Sequence, residues 1–196
     1  HSHVFEHIYD PQSFIDNISK FLDVGDKMIF SIPNLKVCLK RKYTNCLNFE
    51  HTMYLTEEYV EYFLSKFGFR VLEKEYFLDD HSIFYSTIRD NTISQSRLPD
   101  NLYGRNKKVF QDYIDLHLDL VYNINQQLSG DCFLFGASNQ SQYLINFGLN
   151  AEKITCILDN DKLKQGKRLY GTNKFVESPN ILKDLNSPKE IGRAHV

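Results

Sequence analysis

The residues best suited to chemistry fall into two groups. The first is an adjacent acid and imidazole, Glu50 and His51, in the run Asn48-Phe49-Glu50-His51, with a further histidine, His7, far upstream in His3-Val4-Phe5-Glu6-His7. A histidine titrates near neutrality, and a neighbouring carboxylate orients the ring and stabilises the imidazolium that forms on proton uptake. That is the equipment of a general base; the plainer reading of the same pair is a solvated loop. His7 stands just before a helix start, where it either joins that chemistry or braces the turn. The second group follows two apolar runs: Gly136-Ala137-Ser138 after Cys132-Phe133-Leu134-Phe135, and Asp159-Asn160-Asp161 after Ile154-Thr155-Cys156-Ile157-Leu158. In open α/β units, ligands are received at the carboxyl ends of strands.

A dinucleotide fingerprint needs three glycines after the first strand and an acid about twenty residues on for the ribose. Only Gly136 is present. Asp159 or Asp161 stands where that acid would be, yet an aspartate also caps a turn leaving a strand. The unit therefore reads as a Rossmann-like scaffold. The basic run Lys162 to Arg168, with Lys164 and Lys167 inside it, either meets a diphosphate through charge-assisted hydrogen bonds or is a solvated loop.

The elements that must position these residues can be followed along the chain. Asp10-Pro11 is a helix start, because the aspartate accepts orphan amides at the N-cap and proline suits the first helical position. Phe14, Ile15, Ile18, Phe21 and Leu22 make its apolar stripe, and Gly25 closes the turn. Met28 to Ile32 is a buried strand stopped by Pro33. Residues 34–55 read as an irregular connection too long to be a mere turn, with Tyr43, Phe49 and Tyr54 arguing for order. A helix follows from Thr56, with Glu57 and Glu58 in its first turn. Phe69 to Phe77 and Ser82 to Ser86 read as antiparallel strands around Asp79-Asp80. Asn91 to Asn101 is a polar linker, and Val109, Tyr113, Leu116, Leu120, Ile124 and Leu128 step through one long helix. The two apolar runs from Cys132 and Ile154 flank a helix carrying Tyr143, Leu144 and Phe147, a parallel βαβ crossover; Phe175-Val176 and Ser178-Pro179 add a third strand and helix.

The composition is that of a packed cytoplasmic protein. At 196 residues, 42% hydrophobic and 14% aromatic, the chain can bury one large core or two small ones. A net charge of -2 and a pI near 6.4 give no electrostatic footprint for nucleic acid or an anionic membrane. No apolar run approaches membrane-spanning length, and no secretory signal opens the chain. Cys38, Cys46, Cys132 and Cys156 form no CxxC pair and are expected to be reduced thiols, with neither a disulfide framework nor a metal site. The chain opens without Met in mid-pattern, and Glu190 to Val196 resembles a translated sequencing adapter, so this segment and its His195 are set aside.

Val4-Phe5-Glu6-His7-Ile8-Tyr9-Asp10-Pro11, Ser31-Ile32-Pro33-Asn34, and Phe49-Glu50-His51 with Tyr54 resemble the second half of class I S-adenosylmethionine-dependent methyltransferases. More narrowly, they resemble the C-methyltransferases that act on nucleotide-linked deoxysugars. Phe135-Gly136-Ala137-Ser138, Asp159-Asn160-Asp161, Lys164-Gln165-Gly166-Lys167, Gly171-Thr172 and Ser178-Pro179 look like that family's Rossmann-like C-terminal domain. The resemblance runs to about Leu185.

The resemblance implies an α/β fold: the C-terminal half of a class I methyltransferase Rossmann-like sheet at 1–90, a linker at 91–105, a second Rossmann-like α/β domain at 106–189 and a non-native tail at 190–196. It implies an enzyme that removes a proton beside a sugar ketone and lets the enolate take a methyl group. Glu50 and His51 match the family's catalytic pair, and His7 aligns with a histidine that hydrogen-bonds the sugar or the developing enolate. Ser2, His3 and Val4, at the end of the presumed fourth strand, would border S-adenosylmethionine. Asn48, Tyr54, Gly136, Ser138, Asp159 and Lys167 would face the nucleotide-sugar substrate. Asn48 departs from the family, which tends to carry Tyr there. The glycine-rich cofactor half and a cysteine-rich zinc module would both lie upstream. The other reading is a non-catalytic nucleotide or sugar-nucleotide binding module. A sheet lacking its leading strands is expected to expose an edge and an apolar face, giving poor solubility in isolation.

Overall fold

The computed structural model describes residues 1–43, 47, 50–79, 81–185 and 188–191. The chain divides into two compact units, His1–Gln111 and Asp112–Val196.

In the first unit a 3-10 turn, Phe5–His7, precedes α1, Pro11–Phe21. The Asp10 carboxylate caps α1 by accepting the Ser13 amide at 3.0 Å and the Ser13 hydroxyl at 2.7 Å, as the Asp-Pro start predicts. Then come β1 (Lys27–Pro33), α2 (Leu35–Lys40), α3 (Glu57–Lys66), β2 (Phe69–Phe77) and β3 (Ser82–Arg89). The sheet order is β1-β3-β2, with β3 antiparallel to both neighbours. The strands β1 and β2 therefore share a direction, with a reversed strand between them. On the other side of β1, Ser2 forms an isolated parallel bridge with Ser31. The His3 amide donates to the Ser31 carbonyl at 3.0 Å, and the Ser31 amide to the His1 carbonyl at 3.2 Å.

The core of this unit gathers Phe5, Ile15, Met28, Phe30, Val60, Leu64, Phe69 and Tyr85. Helices α1 and α3 supply Ile15, Val60 and Leu64, while Phe30 and Tyr85 stack from adjacent strands with ring centroids 5.0 Å apart.

One element departs from expectation. Residues 34–55 are not irregular throughout, since α2 opens directly after β1. Its Asn34 side chain accepts the Val37 amide at 3.4 Å, and Leu35, Cys38 and Leu39 are buried at helical spacing. So short a helix is marginal by propensity, and tertiary burial of one face carries it.

The second unit is built on a parallel sheet. Helix α4, Leu102–Gln127, begins in the first unit, and from Asp112 onward, in the second, it carries the buried Tyr113 and Val121. β4 (Cys132–Phe135), α5 (Asn139–Asn146) and β5 (Ile154–Leu158) form the expected βαβ unit, with β4 and β5 in parallel register. β6, Val176–Glu177, pairs with β5, and β7, Lys189–Ile191, pairs with β4, giving the order β6-β5-β4-β7. Glu190 and Ile191, set aside on sequence, thus lie within a strand. The expected third helix is a 3-10 helix, Pro179–Asp184, whose Ser178 hydroxyl accepts the Asn180 amide at 3.3 Å. Leu134, Leu144, Ile154, Ile157 and Val176 pack into this core.

The molecule is thus α/β, with one antiparallel and one parallel sheet. Cys38, Cys132 and Cys156 are buried, the last two within strands as expected, while Cys46 lies outside the described residues. Among the described residues no helix is long and apolar enough to cross a membrane.

Leu64 is wholly buried between α3 and the sheet core, whereas Leu72 on β2 is exposed. Leu64→Ala is expected to cost about 3 kcal/mol by urea unfolding, and Leu72→Ala no more than about 0.5 kcal/mol. Equal costs for the two would place the core elsewhere.

Candidate functional site

The site in the first unit is organised by Glu6. Burial of Phe5 fixes the 3-10 turn, and the Glu6 carbonyl then collects three donors from a remote stretch: the Thr52 amide at 3.0 Å, the Met53 amide at 3.2 Å and the Thr52 hydroxyl at 3.2 Å. These bonds pin the segment after His51 against the turn that carries His7. The rings of His7 and His51 meet edge to face, with centroids 5.0 Å apart. His7 Nδ1 lies 2.8 Å from the Glu50 carbonyl. A carbonyl only accepts, so Nδ1 carries the proton and donates, and Nε2 of the neutral ring keeps its lone pair.

Glu6 was not singled out from the sequence. Its side chain is 6% exposed, unusual for a carboxylate. Oε1 lies 3.3 Å from His3 Nδ1, yet neither carboxylate oxygen accepts a hydrogen bond among the described residues. His3 continues outward, with Nε2 3.2 Å from the Ser82 hydroxyl, which in turn meets His81 Nδ1 at 2.9 Å. The available signal was an acid flanked by the apolar Phe5 and Ile8 and bracketed by His3 and His7, a spacing that wraps all three polar groups around one turn.

A crevice of about 310 Å³ opens beside Glu6, walled by Ile32, Pro33, Leu35, His51 and Tyr54. It is narrow, with room at its centre for a water-sized occupant. Tyr54 lies edge-on to His51 at 6.2 Å between centroids and faces Phe110 at the same distance.

The sequence-derived residues distribute as follows. His7, His51 and Tyr54 are brought together. Glu50 is exposed and joins the cluster through its backbone carbonyl. Asn48 lies outside the described residues. Ser2 turns its hydroxyl onto that of Ser31 at 2.7 Å, His3 faces Glu6, and Val4 is 37% exposed.

In the second unit, Gly136 turns the chain at φ +101°, a left-handed value that favours glycine, and its amide donates to the Leu158 carbonyl at 2.7 Å. Ser138 stands at the N-cap of α5 without a side-chain capping bond. An open cleft of about 630 Å³ gathers Ala137, Ser138, Gln142, Lys164, Lys167 and Arg168. Ser138 and Lys167 are therefore neighbours in this cleft, directly after the Gly136 turn.

Asp159 is turned inward. Oδ2 accepts the Ala137 amide at 2.8 Å and Lys164 Nζ at 3.1 Å, and Oδ1 accepts the Asp161 amide at 2.9 Å. Burial opposes its charge, but the amides of Asp161 and Ala137 and the Lys164 ammonium outweigh that and hold its pKa below the ordinary carboxylate value. A depressed folded-state pKa contributes stability above the unfolded value, and that stability is lost as pH falls through the folded value. Stability is therefore expected to drop below about pH 3.8, with a smaller drop in Asp159→Asn, read by urea unfolding across that range. An identical acid limb in the variant would show that Asp159 is not so held.

No protein-family model matches this chain, and no curated protein matches it either.

Proposed function

We propose that the first unit is the acceptor-side half of an S-adenosylmethionine-dependent C-methyltransferase acting on a nucleotide-linked keto-deoxysugar. The observation that carries this reading is the meeting of His7 and His51 beside the buried Glu6 carboxylate, with Glu6 and His51 lining the crevice and the Glu50 carbonyl on His7. The strand order also supports it. A reversed β3 between two co-directional strands, with the segment at Ser2 running parallel beside β1, suits a class I sheet from its fourth strand onward.

In this reading the sugar presents its ketone and the adjacent C–H at the mouth of the crevice. His51 takes the proton, the C–H electron pair passes into the enolate, and the nearby Glu6 carboxylate favours the imidazolium formed. His7, held by the Glu50 carbonyl, turns its other ring nitrogen to the enolate oxygen when protonated, and such stabilisation of developing charge is the larger catalytic contribution. S-adenosylmethionine, when bound, supplies an electrophilic methyl group for the enolate carbon. Of its surroundings this chain offers the Ser2 to Val4 edge, where the Ser2 hydroxyl is already engaged by Ser31 and Val4 is exposed.

A second reading concerns the other unit. Lys164, Lys167 and Arg168 around Ser138 at the start of α5 suit the diphosphate of a nucleotide or sugar nucleotide.

The first reading is tested in the full-length parent by exchange of the substrate's α-hydrogen with deuterated solvent and by methyl transfer. His51→Ala is expected to slow both by about 10²–10⁴-fold, the usual contribution of a general base. Rates unchanged in that variant reject the assignment. For the second, calorimetry of the chain with a nucleoside diphosphate sugar should detect binding that Lys167→Ala weakens by roughly tenfold. Absence of binding heat would remove it.

A further inference from the structure

We propose that Glu6, His7 and His51 form a binding site for one divalent transition cation of the zinc class. One carboxylate oxygen and one nitrogen from each imidazole all lie within 4.8 Å of one another. Ligand atoms around tetrahedral zinc sit about 3.3 Å apart, given metal–ligand bonds of about 2.0–2.1 Å, so small side-chain rotations close the set. Two histidines and a glutamate are also a donor set that catalytic zinc sites use, with the fourth position left open.

Glu6 supplies an independent reason. A carboxylate on a side chain 6% exposed, whose oxygens accept no hydrogen bond among the described residues, is an anion short of partners. Buried charges are paired or coordinate metals. The neighbouring cation candidate, His3, lies 3.3 Å from one oxygen, and its side chain is 38% exposed. It meets Oε1 only, and Oε2 remains for a metal.

The outer contacts that such a site requires are present as well. Metal-bound histidines characteristically donate their second ring N–H to a carbonyl or carboxylate, and ligating carboxylates are themselves held by a further group. His7 Nδ1–H donates to the Glu50 carbonyl, which leaves Nε2 as the ligand atom, and His3 holds Glu6. The three donors come from two segments far apart in the chain, and the bonds from Thr52 and Met53 to the Glu6 carbonyl already align them before an ion arrives. The crevice suits an ion with a water in the open position and is too narrow at its centre for more. Two imidazoles with a single carboxylate also select against calcium and magnesium, which favour oxygen ligands, and toward zinc or cobalt.

This proposal does not rest on methyl transfer. A His51 nitrogen that holds a metal cannot also remove a proton, so occupancy and base catalysis exclude each other, and the test reads binding rather than turnover. The whole 196-residue chain, stripped of metal with a chelator, is titrated with Co²⁺ while its visible ligand-field absorption is followed. Expected is saturation at one equivalent, no thiolate charge-transfer band, displacement by Zn²⁺, and affinity at least about tenfold weaker in Glu6→Gln and in His51→Gln. Saturating Zn²⁺ should also raise the melting temperature of the wild-type chain, since a ligand of the native state alone stabilises it. Glu6→Gln alters a buried turn, so His51→Gln, at the crevice wall, is the deciding variant once circular dichroism shows it folded. Absence of a saturable band, a band with thiolate character, or unchanged affinity in His51→Gln would overturn the proposal.

Discussion

The first unit depends on one backbone acceptor. The Glu6 carbonyl takes two amides and a hydroxyl from residues 52 and 53, and these bonds, with the one between His7 and the Glu50 carbonyl, hold the long connection after α2 against the amino-terminal turn. A carbonyl has two lone pairs, and three donors from one short stretch use that capacity fully. The same residue sends its carboxylate the other way, into the crevice. Main chain and side chain of Glu6 thus divide the labour: one fixes where His51 lies, the other sets the charge it faces.

Asp159 provides the contrast that gives Glu6 its meaning. Both are carboxylates placed at turns and largely removed from water. Asp159 is met by two amides and an ammonium and ties the turn after β4 to the turn after β5, which makes it a structural acid despite its position where a ribose-binding acid would stand. Glu6 has one imidazole nearby and no hydrogen bond to either oxygen among the described residues. An acid satisfied inside its own fold has little left to offer a ligand, and an unsatisfied one is where a ligand or ion gains most.

What was legible in the sequence follows from the range of the forces involved. Asp10-Pro11, the α3 start at Thr56 and the apolar runs of β4 and β5 are local signals, and each appears where the residues place it. Helix α2 is hard to read in the sequence because six residues carry too little periodicity, although Asn34 with Leu35, Cys38 and Leu39 spaced behind it holds the pattern. The meeting of His7 with His51 is a tertiary event that spacing alone cannot give; only the resemblance of the two motifs set them in one site. Glu6 does not stand out in the sequence because a lone acid beside apolar residues looks like a helix-start charge until the turn that buries it is known. Asp159 reads from the sequence either as a ligand-facing acid or as a turn cap, because position at a strand end does not reveal which way a carboxylate turns.

The placement of both candidate sites has a common geometric cause. Ile32 and Pro33, which wall the first crevice, end β1, and Ala137 and Ser138, which line the second cleft, follow the end of β4. At a strand's carboxyl end the ladder stops, the backbone diverges, and loops can converge without competing with sheet hydrogen bonds. In the first unit the reversed β3 adds a consequence. Because it runs against β1, its first residue, Ser82, pairs with Pro33 and so begins at the same end of the sheet. That brings the Ser82 hydroxyl within hydrogen-bonding reach of the His3 that faces Glu6, and His81 in turn meets Ser82, so a chain of polar groups runs from the buried carboxylate through His3 and Ser82 to His81. A third parallel strand in that place would begin at the opposite end, and the chain of polar groups would not exist.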